Sequence, residues 1–228
     1  LQRWMDEYTR TGSSDRIDPG PAVPVSRHHT TPEEELRGAQ ERISNLLKQA
    51  GSASEGTRAN SYLRVARGLA DAPEHVIERN AHIRSLSRAR YTFGDDRPAI
   101  WLPAVVFVTE GSYGAQIVYL EKRAGGGKAR DVENAKKTQG KVSIAVDRCD
   151  AVPICTPPHA GPYPRVFLAE GPETALSVAT AFPDAPVYAA LGVHNMERFH
   201  YAHADTVVLC LEHATDNTRE AMRNLRAR

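Results

Sequence analysis

The chain has 228 residues, 41% of them hydrophobic, with 29 Lys and Arg set against 28 Asp and Glu. It is longer than one average domain and apolar enough for a real core, and its near-zero balance excludes a global polycation that would hold nucleic acid by bulk charge. No run of about eighteen apolar residues spans a bilayer, and the N-terminus lacks the apolar core of a signal peptide, so a cytoplasmic protein with no membrane partner is expected. Cys149, Cys155 and Cys210 form no Cys-x-x-Cys pair and no finger-like spacing with histidine. That argues against zinc and suits a reducing compartment.

Residues 1–10 read as the tail of a preceding helix. Residues 11–31, with Gly12, Ser13, Ser14, Pro19, Gly20, Pro21 and Pro24, read as a linker. Thr31-Pro32-Glu33-Glu34 then opens a helix with a cap, a first-turn proline and first-turn acids, and Leu36, Ile43, Leu46 and Leu47 follow at helical spacing. A second helix is expected over 55–69 and a short third over 73–80. Residues 100–109 and 115–120, rich in Val and Ile around Gly111 and Gly114, predict a β-hairpin.

Gly125-Gly126-Gly127 has no following Lys-Ser/Thr to open a helix, so a plain hairpin turn is preferred to a phosphate cradle. Seven basic residues cluster around it: Lys122, Arg123, Lys128, Arg130, Lys136, Lys137 and Lys141. They read either as a solvated face or as a surface for nucleic-acid backbone. Five prolines over 153–164 are expected to separate two halves. The expected domains are therefore a tail and linker over 1–31, a smaller α+β module over 32–160, and an α/β domain over 161–228. Tyr91, Phe93, Trp101 and Tyr113 are expected to pack in the core rather than stack on bases. His194, His200, His203 and His213 have no closed zinc spacing.

In the last domain short strands and helices alternate: 166–169, 173–181, 187–190, 206–211 and 217–225. Such alternation predicts a parallel sheet with right-handed crossovers and flanking helices. The first strand delivers Glu170 and Gly171 to a strand–helix junction, where open sheets place their chemistry, and Pro172 starts the helix. Gly171 is expected to let the chain turn tightly, and Glu173 to be a first-turn surface acid. Glu212 follows the strand over 206–211 and is a second candidate at the same edge. Asp216 is either a third site acid or the N-cap of the last helix.

The run Leu-Ala-Glu-Gly-Pro-Glu-Thr-Ala-Leu-Ser over 168–177 resembles the signature of the Toprim domain, the catalytic fold shared by bacterial-type primases and topoisomerases. The version it resembles is that of primase-like proteins of plasmids, phages and conjugative elements. Pro-Val-Tyr-Ala-Ala-Leu-Gly-Val-His-Asn-Met-Glu-Arg over 186–198 is similar to the family's second strand and its Gly-x-x-Asn turn, with Gly192 and Asn195 as site-shaping residues beside Gly171. Upstream, Tyr62-Leu63, Arg67-Gly68-Leu69, residues 98–108, Tyr119-Leu120 and Lys128-Ala129 resemble the module that precedes Toprim in those proteins. The likeness covers roughly 55–228.

The resemblance implies a nucleotidyltransferase that joins nucleotides on single-stranded DNA. Glu170, Glu212 and Asp216 would hold Mg2+ or Mn2+, with Glu170 and Glu212 as catalytic acids. Arg67, Lys122, Arg123, Lys128, Lys136 and Lys137 would meet phosphates, and other replication or conjugation proteins would be partners. The family's Asp-x-Asp pair is replaced here by Glu212-His213-Ala214. Ala214 cannot ligate a cation, so metal would be held weakly. The alternative is a Toprim module whose metal site has decayed, kept for DNA or protein binding. The family's fourth strand is also missing after 225, as expected of a fragment of a longer polypeptide.

Overall fold

The computed structural model describes residues 31–94, 97–123, 125–145, 148–156, 162–201, 204–212, 219–220 and 223. The expected N-terminal tail and linker, His203, His213, Ala214, Asp216 and most of the expected last helix lie outside these residues.

Helix α1, Pro32–Leu47, opens as its sequence predicts. Thr31 accepts from the Glu34 amide and the Glu34 carboxylate takes the Thr31 amide, so two donors left over at the helix start are satisfied reciprocally. Ala39 and Ile43 are buried on its inner face. After the two-residue strand β1, Gly51–Ser52, the expected second helix is shorter than foreseen. Thr57 caps a single α-turn, α2, Arg58–Ser61. The chain then widens into a π-helical turn, Tyr62–Ala66, closed by the Arg67 amide on the Tyr62 carbonyl. Residues 73–80 form turns, not the third helix.

Strands β2, Ile83–Tyr91, β3, Ile100–Val108, β4, Gly114–Tyr119, and β5, Lys136–Gly140, complete an antiparallel sheet of order β1-β2-β3-β4-β5. The hairpin of β3 and β4 was legible. β2 was not, because the register shifts between Leu86 and Ala89 and the bulge breaks the polar–apolar alternation. β5 is Lys-Lys-Thr-Gln-Gly, a polar edge strand of the kind that discourages further pairing.

Strands β6, Ser143–Ala145, and β7, Arg148–Cys149, form a two-stranded ribbon. The second main sheet is built from β8, Val152–Cys155, β9, Val166–Ala169, β10, Val187–Ala189, and β11, Val207–Cys210. Between them run α3, Pro172–Ala181, and the short α4, Val193–Met196. The order is β11-β9-β10-β8, with β9 parallel to both β10 and β11 and β8 antiparallel to β10. The α/β expectation is met by a mixed sheet. Its antiparallel member comes from the proline-rich stretch read as a separator: Pro153 sits in a fully buried strand, and β8 is an edge, where a missing amide is tolerated.

The two main sheets share a core. Val105, Phe107, Val118 and Leu120 from one face of the first sheet meet Tyr62 and Leu63 of the π-turn, Ala175, Leu176 and Ala179 of α3, and Val187 and Ala189 of β10. The opposite face of the first sheet packs Ala104, Val106, Ile117 and Tyr119 beneath Ile43 of α1. Among the described residues no helix is long and apolar enough to cross a membrane.

Candidate functional site

β9 is an apolar run buried between two parallel neighbours, and it ends at Ala169, which pairs with Ala189 of β10 and Cys210 of β11. Glu170 is therefore the first residue past the C-terminal end of the central strand. Its side chain is exposed, and among the described residues no hydrogen bond or ion pair engages its carboxylate. Its backbone is held instead: the Gly192 amide donates to the Glu170 carbonyl at 3.2 Å.

The expected Gly-x-x-Asn turn is the device that reaches across. The Asn195 amide donates to the Gly192 carbonyl at 3.1 Å and its side chain to the Leu191 carbonyl at 3.4 Å. Gly192 has φ +141° and Leu191 φ +58°, both outside the range L side chains prefer. Gly171 makes no such demand. It is an extended N-cap at φ −117°, and a Cβ on it would meet nothing within 4 Å.

Glu212 arrives from the neighbouring strand. β11 runs parallel to β9, so its C-terminal end lies at the same edge, and the Thr174 hydroxyl in the first turn of α3 donates to the Glu212 carboxylate at 2.5 Å. Two exposed carboxylates thus stand at the ends of adjacent parallel strands, oxygen donors of the kind hard divalent cations take. Among the described residues no group of three or more His, Cys, Asp or Glu is arranged to hold a metal.

Glu173 is the residue sequence reasoning missed. Expected at the surface, it is 3% exposed and lies at the centre of four donors. Lys136 Nζ is 2.5 Å from one carboxylate oxygen; Lys128 Nζ at 2.9 Å and Arg67 Nε at 3.7 Å address the other, which also accepts the Tyr62 hydroxyl. Burial pushes the Glu173 carboxyl up, yet hydrogen bonds from Lys136, Tyr62 and Lys128 outweigh it and hold it at about 2. Burial also lowers Lys128, with Glu173 opposing, and raises the Tyr62 hydroxyl. The cations keep 33% (Lys128), 38% (Lys136) and 39% (Arg67) of their side-chain surface open. Three positive charges on one negative leave the cluster cationic beside the acidic edge. Its only local signal is spacing: Glu173 precedes buried Leu176 by three, on the inner side of α3.

The rest of the basic run is dispersed. Lys136 and Lys137 point to opposite faces of β5, as strand geometry requires. Lys137 donates to the Thr92 carbonyl at 2.5 Å and lies 3.9 Å from the Tyr91 ring centroid. Arg123 and Arg130 both pair with Glu121, Lys141 pairs with Glu35 of α1, and Lys122 is exposed. Tyr91 packs edge-on against Phe93 and Tyr119 as expected, but Trp101 is 45% exposed. Cys210 is partly buried beside the shared core, and burial raises its thiol.

The parallel β9–β11 pair, the acid at its edge and the Gly192 turn agree with a family match covering this segment: residues 165–228 match the Toprim domain. The chain carries a Toprim domain. Upstream of the Toprim segment, residues 37–147 match a domain of unknown function, DUF7146, which runs from within α1 through β6 and takes in Tyr62, Arg67, Lys128 and Lys136. No curated protein and no solved structure matches the chain. A Toprim domain suggests a metal-binding, nucleic-acid-related function, and Glu170 and Glu212 offer oxygen donors of the kind a hard cation takes.

Proposed function

We propose that the chain is the nucleotidyl-transfer core of a primase-like DNA replication protein of a mobile genetic element, acting in the cytoplasm on single-stranded DNA with Mg2+ or Mn2+. The observation that carries this reading is the pair of exposed carboxylates, Glu170 and Glu212, at adjacent parallel strand ends beside a cationic cluster. Glu170 and Glu212 would hold the metal, with Asp216 as the third acid. Ala214 in place of a ligand keeps affinity low, because magnesium gives up its waters reluctantly. When bound, the cation neutralises charge on a triphosphate.

The chain's own groups do the rest. Arg67, Lys128 and Lys136, fixed by Glu173, receive phosphate oxygens without having to be ordered anew on binding. Gly192 and Asn195 hold the Glu170 backbone, so that its carboxylate can relay a proton or ligate without moving. Lys122 and Arg123, exposed at the glycine turn, meet backbone phosphate further out. The second reading, a Toprim module kept for DNA or protein binding inside a larger replication, conjugation or phage protein, is favoured by Ala214 alone.

Primer synthesis from labelled nucleotides on single-stranded DNA, with calorimetric titration of Mg2+ and Mn2+, separates the two. Weak divalent binding and synthesis that are both lost in Glu170→Ala and Glu212→Ala support the enzyme. DNA binding with neither metal binding nor synthesis selects the binding module.

A further inference from the structure

By strand alternation Trp101 falls on the same side of β3 as Val105 and Phe107, the face of the first sheet that packs against the Toprim domain. Unlike those residues it is 45% exposed. The Arg88 guanidinium lies 5.1 Å from the centroid of its ring, and Arg90 is its cross-strand partner. The bulge in β2 causes this, placing Ser87 and Arg88 together opposite Pro103 and so turning Arg88 to the side of Trp101.

Both arginines are exposed, and among the described residues neither forms an ion pair. That separates them from Arg123, Arg130, Lys128, Lys136 and Lys141, each of which has a carboxylate partner. In a chain with almost as many acids as bases, free cations flanking an uncovered indole make a local surplus of positive charge next to a flat apolar face. That combination matches the two parts of a single strand, phosphate and base.

The position of Trp101 points the same way. The Leu120 amide donates to the Pro103 carbonyl, and Leu120 bridges to Lys128. Lys128 thus lies two strands across and two residues along from Trp101 on one face, about 10 Å by about 7 Å from ladder spacings. A few nucleotides cover that span, and it leads from the indole to the cation cluster at the first turn of α3, next to Glu170.

We propose that Trp101, Arg88 and Arg90 form a stacking platform for single-stranded nucleic acid. The exposed part of the ring takes one base, the guanidinium groups take the flanking phosphates, and the strand continues over Lys128 toward the Toprim edge. The proposal rests on the single-strand reading above.

The test uses the full chain with Trp4→Phe, which leaves Trp101 as its only tryptophan. Titration with labelled (dU)20 and (rU)20 is followed at once by label anisotropy and by indole emission, and a preference between the two oligonucleotides identifies the sugar recognised. The expected result is emission quenched in step with anisotropy. Trp101→Ala should weaken binding about 5- to 150-fold, the worth of one stacked base, and Trp101→Phe should restore most of it. Arg88→Ala with Arg90→Ala should flatten the log–log salt slope by about 1.4, from about 0.7 per phosphate released. Tight binding with unchanged emission and an unaffected Trp101→Ala overturns the platform and leaves the single-strand reading standing. No binding of either oligonucleotide sinks both. Sedimentation showing self-association that Trp101→Ala abolishes, with no effect on oligonucleotide binding, assigns the face to a second copy and overturns the proposal.

Discussion

Glu170 and Glu173, less than one helical turn apart, live in opposite environments. Glu170 is exposed with its carboxylate unengaged among the described residues and its backbone clamped by Gly192; Glu173 is buried with its carboxylate surrounded by Tyr62, Lys128, Lys136 and Arg67. A pre-set but unsatisfied acid can give its electron pairs to a ligand. A fully satisfied one serves to hold its partners still, which here means holding cations from the upstream module against the Toprim helix. The motif thus joins an open acid and an anchoring acid within four residues of sequence.

The contrast breaks most visibly at Glu173. Glu173→Gln should lower unfolding free energy by about 3 kcal/mol in urea titration, the low end for removing one member of a buried ion pair, because Lys128 and Lys136 keep a third or more of their surface in water. A loss under about 1 kcal/mol would make the cluster ornamental.

Acid sharpens the same point. The folded-state value of about 2 lies below the 4.5 of a free glutamate, so the unfolded chain takes up the proton first. The contribution of Glu173 is fully present above about pH 4.5 and is lost as pH falls toward 2, an effect of a few kcal/mol. Urea midpoints should fall over that window in the parent and less in Glu173→Gln. Glu78, whose carboxyl burial raises but whose hydrogen bonds, from Arg64 and Asn60 among others, together hold below its ordinary value, keeps part of the slope in both proteins.

A third test moves to the clamp. Gly192→Ala should cost about 1–3 kcal/mol, since φ +141° lies in a region nearly reserved for glycine. It should also reduce any Glu170-dependent activity by more than its effect on stability explains. Smallest of all, Glu170→Ala should leave the urea midpoint within about 0.5 kcal/mol of the parent, as for an exposed side chain with no partner, while abolishing divalent binding. A large stability loss there would mean that Glu170 is a structural residue.

Legibility followed the range of the interactions. Helix α1 was readable because Thr31, Pro32 and Glu34 cap it within four residues, and the β9–α3 junction because an apolar run, Glu170-Gly171 and Pro172 adjoin. The hidden parts depend on distant partners. Only the three-residue spacing to Leu176 hints that Glu173 is buried, since Tyr62 lies 111 residues away. β8 was disguised by Pro153, which only an edge position excuses. Exposure of Trp101 could not be seen either: an apolar stretch such as Ile100–Val108 looks alike whether or not its first residues run past the end of the core.

The shared core between the two sheets also sets a timetable. On the ribosome the antiparallel sheet can form early, but the face carrying Val105, Phe107 and Val118 is covered only in part, by Tyr62 and Leu63, until α3 is made. At about 5–20 residues per second, Tyr62 waits roughly 5–20 s for Glu173. During that interval the nascent chain presents a sticky apolar sheet with a polar edge strand, Lys-Lys-Thr-Gln-Gly, as its guard against the wrong neighbour. Slowing translation through β5 to β9 should therefore raise misassembly of this protein, even though no residue of the mature molecule has changed.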